Sequence, residues 1–226
     1  MGKGITTNFC GIAAFLTLSV VLYLVKDVVI HSISGLPGYL AIFLVSFVGA
    51  SSVLIPIPYV AIVFTLTIAG NLNPLYVALA GGGGSGVGEF TGWIVGRFFS
   101  KAIESTKYYG RVEALIKFLE RRGRVWLPLV IFMFALTPLP DDILFIVLGA
   151  LRYSLWKALS VSICGKILMM YLVAYSGTAI GSYFVESGVG IDVVFVGSVI
   201  ALVVILLIMM LIDWEKVLSS KIRAIR

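Results

Sequence analysis

The chain has 226 residues, 60% of them hydrophobic and only 12% charged. Soluble domains carry about 25% charged residues, so this composition excludes an ordinary water-soluble domain and indicates an integral membrane protein. The net charge of +6 sits in basic clusters at the edges of apolar runs, which is an orientation signal and not a nucleic-acid one.

The N-terminal run begins like a signal peptide, with Lys3 ahead of apolar residues, but continues past the usual h-region without a small-residue cleavage site. It is therefore expected to be a retained span from Phe9 to about Ile30, within an N-terminal unit 1–37. The pattern MGKGIT also fits N-myristoylation, which a span directly behind it would make redundant. Tyr39 to Gly70 is too long for one ordinary span and is interrupted by Pro56 and Pro58. The same shape returns from Val125 to Tyr153, interrupted by Pro138 and Pro140. Each reads as two half-helices joined by a Pro-x-Pro tip, at 38–70 and 125–153. Broken helices survive in a bilayer where protein or a water-filled cavity satisfies the freed backbone groups.

A span follows each broken segment, at 73–98 and 155–180. Between them, 101–122 places Val112, Leu115, Ile116 and Leu119 at helical spacing among charges and is expected to be an interfacial amphipathic helix. A last span and the basic tail WEKVLSSKIRAIR occupy 181–226. The expected fold is an all-α polytopic membrane protein: an inverted repeat of two re-entrant helical hairpins, each followed by a transmembrane helix, within a core of 38–180, plus flanking transmembrane helices. Arg97 to Arg124 carries eight basic residues against three acids, so this loop, the tail and both termini are expected to be cytoplasmic, in a prokaryotic plasma membrane. If 38–53 made a complete span, the N-terminus would instead lie outside.

Glu89, Asp141, Asp142 and Lys166 fall deep within apolar runs. A charge at bilayer centre costs about 2.5–3.5 kcal/mol even on the milder insertion scale, so these residues must face protein or water. Glu89 follows Gly88 in one repeat and Lys166 follows Gly165 in the other. Repeat symmetry would aim both at one central region, with the aspartates on the second hairpin tip. A structural ion pair between Glu89 and Lys166 is the plain alternative. One aspartate is expected to cap the half-helix ILFIVLGAL, leaving the other for a proton, a cation or a positively charged partner, since a desolvated carboxylate can carry a proton. The run Gly81 to Gly84 lacks the Gly-Lys-[Ser/Thr] of a phosphate loop and suits close helix packing. Arg152 and Lys157 lie where the second hairpin returns to the surface, a place for anionic headgroups or for ordinary edge charge. His31 is the only histidine, and Cys10 and Cys164 form no paired motif. No metal site, cofactor or enzyme activity is therefore expected.

Three stretches carry a family resemblance: PIPYVAIVFTLTIAG; GEFTGWIVGR, with Gly88, Glu89, Trp93, Gly96 and Arg97; and TPLPDDILFIVLGALRY with the later Gly165. The chain resembles the DedA family within the VTT, or SNARE-associated Golgi protein, superfamily, over about Gly38 to Gly177. The resemblance implies two re-entrant hairpins facing each other and movement of lipids or lipid-linked phosphates between leaflets. Bacterial members are associated with polyprenyl-phosphate recycling and proton-motive-force-dependent tolerance, and eukaryotic relatives with phospholipid scrambling. The chain departs from the pattern in two places. A glutamate commonly follows the first Pro-x-Pro, where Tyr59 and Val60 stand. Two arginines commonly flank the second hairpin's proline; aligned on Pro138 and Gly149, those positions hold Ala135 and Asp141. An anionic headgroup would then depend on Lys166, Arg97, Arg152 or half-helix N-termini.

The leading expectation is a scramblase- or flippase-like transporter of phospholipid or polyprenyl phosphate, with protons as a coupling ion and room for a homodimer. The alternatives are a proton- or cation-coupled exporter of a small solute and a membrane scaffold binding through its basic segments.

Overall fold

The computed structural model describes residues 36–52, 58–70, 72–104, 107–137, 141–188 and 190–211. The expected first span, Pro56, Pro138, Pro140 and the basic tail lie outside the described residues. Those described are helical, without a strand among them. Only one described helix is long and apolar enough to cross a membrane, over Leu155–Gly181.

Helices α1 (Gly38–Ser51) and α2 (Tyr59–Ala69) pack against each other with Leu72 beside Gly38 at one end and Tyr59 against Gly49 at the other. The chain thus leaves this helix pair close to where it joined it. At that open end the Asn73 N–H donates to the Tyr39 hydroxyl at 3.2 Å. Helix α3 (Pro74–Gly88) starts by familiar chemistry: the Asn73 side chain accepts from the Leu75 N–H at 2.9 Å, and Pro74 takes the first helical position. Its glycines have two destinations. Gly84 and Gly88 lie on the α1 backbone near Phe43 and Phe47, whereas Gly82 and Gly86 lie on Ile167 and Ile163. Without side chains between them, three helices meet backbone to backbone.

The span expected over 73–98 carries a one-residue break between α3, which ends at Gly88, and α4 (Phe90–Phe98); Glu89 keeps right-handed helical backbone there, its N–H donating to the Ser85 carbonyl and its carbonyl accepting from the Trp93 N–H. Glycine is a poor helix former, and the break falls at the end of the glycine-rich stretch. Next come α5 (Ser100–Glu104) and α6 (Lys107–Arg122). Of the amphipathic helix expected over 101–122, the described residues are helical on both sides of 105–106. Its apolar edge is covered by protein, since Ile116 and Leu119 are buried in one core with Leu127, Leu144 and Leu148.

A second helix pair follows, α7 (Trp126–Ala135) and α8 (Asp142–Ala150). Helix α8 lies along α4, with Gly96 against Ile146 and Gly149 against the Trp93 backbone. The Trp93 indole N–H donates to the Tyr153 carbonyl at 3.1 Å. Helix α9 (Leu155–Glu186) runs antiparallel to α3 and also lies against α7, α2 and, more lightly, α4. Gly165 meets Phe132 and Ala135 of α7, and Gly177 and Gly181 meet Phe64 and Ile68 of α2. Helix α10 (Ile191–Leu211) covers α2, with Val199 in a small core with Ala61. The first pair opens at the start of α3 beside the end of α9. The second opens at the end of α4 beside the start of α9.

Candidate functional site

Four elements deliver polar side chains to one buried point. Glu89 occupies the break between α3 and α4, Asp141 precedes α8, Lys166 lies mid-way along α9, and Tyr59 opens α2. The Lys166 ammonium lies 2.8 Å from the Asp141 carboxylate, 3.2 Å from Glu89 Oε1 and 3.4 Å from the Tyr59 hydroxyl. Glu89 is 1% exposed, Lys166 2% and Asp141 4%. A lysine is tolerated at such depth because desolvation of its charge is offset by close carboxylates.

The backbone around the cluster is tied down locally. At the helix break the Thr91 hydroxyl donates to the Gly88 carbonyl at 2.9 Å and to the Ser51 carbonyl at 3.1 Å. This fixes the end of α1 to the turn that carries Glu89. On the far side Gly92 faces the backbone of Asp142. Asp142 is half-buried and close enough to Asp141 and Lys166 to feel both charges. Pro58 is buried ahead of α2, its carbonyl accepting from the N–H groups of Ala61 and Ile62.

Of the residues singled out by sequence, the structure brings Glu89, Asp141 and Lys166 into contact and sets Asp142 beside them. The ion pair between Glu89 and Lys166 is present. Neither aspartate caps α8: Asp141 stands at the N-cap position with no side-chain cap hydrogen bond. Its carboxylate is drawn to Lys166 instead, and a charge-assisted bond outweighs a cap to a neutral N–H. Arg97 and Arg152 are exposed, and no ion pair joins either to the cluster among the described residues.

Arg152 has a local task. Its backbone is left-handed, φ 61°; its N–H donates to the Gly149 carbonyl, and the Tyr153 N–H donates to that of Leu148. This is a Schellman stop to α8, with arginine where glycine is usual.

Tyr59 was not among the candidate residues. Its signal in the sequence is positional: it directly follows the first Pro-x-Pro, where the resemblance would place a glutamate.

The cluster holds three carboxylates for one ammonium. Among the described residues no group of three His, Cys, Asp or Glu side chains is arranged to hold a metal ion. The site suits exchange of ion-pair partners or uptake of a hydrogen-bonding cation.

No curated protein and no solved structure matches the chain. A family model for the VTT domain matches residues 55–179, a stretch that takes in Tyr59, Glu89, Asp141 and Lys166. With that match covering more than half of its length, the chain belongs to the VTT domain family, the membrane-protein family of DedA.

Proposed function

We propose that the chain moves phospholipids or lipid-linked phosphates between leaflets, through a polar site where two opposed re-entrant hairpins meet. The observation that carries this reading is the Lys166–Asp141–Glu89 cluster with the Tyr59 hydroxyl beside it, drawn from both helix pairs and both long helical segments. Its depth supports it. At about 1.5 Å per residue, exposed Trp156 stands roughly 15 Å from Lys166 along α9, and exposed Tyr175 roughly 14 Å the other way. Aromatic residues favour membrane interfaces, and a hydrocarbon core is about 30 Å thick, so the cluster would sit near the midplane. The opposite open ends of the two helix pairs support an inverted repeat, the arrangement that places transport sites at midplane. On this reading the end with Arg97, Lys101, Arg121, Arg122 and Lys157 faces the cytoplasm.

The test is leaflet exchange of headgroup-labelled phospholipid in liposomes, with wild type beside Glu89→Gln and Asp141→Asn. Fast exchange by wild type that either substitution slows at least about tenfold, a barrier change of about 1.4 kcal/mol, is the expected result. No exchange by wild type at any pH gradient would reject the reading for the lipids tried.

A proton- or cation-coupled exporter of a small solute is the second reading. The near-complete burial of Glu89, Asp141 and Lys166 favours it, because a closed site suits a small solute better than a headgroup with its tails outside. It requires solute flux that follows the pH gradient or potential in sealed liposomes.

A further inference from the structure

We propose that the exposed corner between α6 and α7 is a docking site for an anionic phospholipid of the adjoining leaflet, its phosphate on the arginines of the corner and one acyl chain along α7. The corner lies away from the Lys166 cluster: Trp126 stands roughly 14 Å along α7 from Ala135, which meets Gly165. The site does not depend on what the chain transports. Three observations carry it.

First, the corner gathers positive charge that nothing offsets. Arg121, Arg122 and Arg124 crowd about Gly123, whose φ of 139° turns the chain from α6 into α7. Among the described residues no ion pair reaches any of them, and the Glu113 carboxylate is taken by Lys117 at 2.6 Å. A patch of one sign draws in an ion of the other. Second, the middle arginine is already oriented for an anion. The Arg122 guanidinium lies 5.1 Å from the Phe118 ring centroid and 6.0 Å from that of Trp126, so it bridges the two helices. Attraction to ring faces leaves the N–H donors of the guanidinium for a phosphate, whose oxygens they match two at a time. Behind the corner, Ile116, Leu119 and Leu127 are buried in one core. The corner is therefore formed before a ligand arrives, and little ordering is required on binding. Third, the arginines stand at the head of an apolar strip. Trp126, Leu129 and Met133 are exposed and share one face of α7, whereas Leu127, Ile131 and Ala135 are buried on the other. The strip is about 10 Å long, about two thirds of one leaflet of hydrocarbon. A phospholipid uses both the arginines and the strip; a free phosphate uses the arginines alone. A choline headgroup would bring its own cation against the arginines, whereas phosphatidylglycerol brings only its phosphodiester charge.

The experiment uses the purified full chain in detergent, where there are no leaflets, so its outcome is separable from that of the exchange assay. The probes are phosphatidylglycerol, phosphatidylcholine and glycerol phosphate. The readouts are Tm and the lipid retained in native mass spectrometry. Phosphatidylglycerol should raise Tm by at least about 4 °C, as a ligand of the folded state does when well above its Kd. It should also be retained at least about tenfold over phosphatidylcholine. Both effects should fall away in about 1 M salt, where charges are screened beyond about 3 Å. They should fall away too when Arg121→Gln, Arg122→Gln and Arg124→Gln are combined. These side chains are exposed, so that variant should melt within about 2 °C of wild type when no lipid is added. If it does not fold, the salt titration of wild type decides. Equal retention of the two lipids would overturn the proposal, as would a phosphatidylglycerol effect that survives salt. A Tm rise with glycerol phosphate equal to that with the lipid would overturn it as well, because the apolar strip would then contribute nothing.

Discussion

Lys166 keeps Glu89 and Asp141 compatible with a dry interior, so its removal should cost more than the loss of one contact. Lys166→Met leaves two buried carboxylates without their cation, and breaking a buried pair in this way costs about 3–5 kcal/mol. The expected outcome is a clear fall in Tm in detergent, largely recovered when Glu89→Gln and Asp141→Asn are added. A single variant that melts like wild type would show that the lysine does not hold the fold. Tyr59→Phe removes only a 3.4 Å contact and should change stability by less than about 1.5 kcal/mol. The meeting of Glu89 and Lys166 was legible because each follows a glycine in an otherwise apolar run. Tyr59 was not legible in the same way, since a tyrosine beside a proline in an oily segment reads as packing. The aspartates misled because a carboxylate ahead of a helix suggests a cap, and nothing local shows that a lysine from another helix will take it.

Glycine placement decides how the helices approach. A Cβ at Gly82 would overlap the Ile167 backbone, whereas one at Gly83 would meet nothing within 4 Å. Gly82→Ala should therefore destabilise by about 1–3 kcal/mol, and Gly83→Ala should be neutral or stabilise by up to about 1 kcal/mol. Thermal unfolding of the two side by side checks this, and equal effects would contradict the packing described. At the end of α8, Arg152→Gly relieves a left-handed arginine and should raise stability by about 0.5–1 kcal/mol. A headgroup contact through Arg152 would instead appear as lost transport. The start of α3 was legible in Asn73–Pro74. Its end was not, because the glycines signal close packing without saying which side chain will turn inward at the break. Helical spacing in α6 was legible too, but an apolar stripe looks the same whether lipid or protein covers it.

At the scale of the whole molecule, the basic end and the acid-bearing end at Glu186 and Asp192 should lie on opposite sides of a membrane. In a chain lacking Cys10 and Cys164, an impermeant thiol reagent applied outside cells should label Ser187→Cys. Lys117→Cys, exposed on α6, should react only after permeabilisation. Labelling of both from one side would contradict the arrangement.

The second arm of each helix pair lies against the other half of the chain, α2 on α9 and α8 on α4. This has a consequence for biosynthesis. Phe64 and Ile68 find Gly177 and Gly181 only after about 110 further residues have left the ribosome, which at about 5–20 residues per second takes roughly 5–20 seconds. During that interval α2 stands beside α1 without its long-range partner, and the earlier half must wait in the membrane for the later one to complete it.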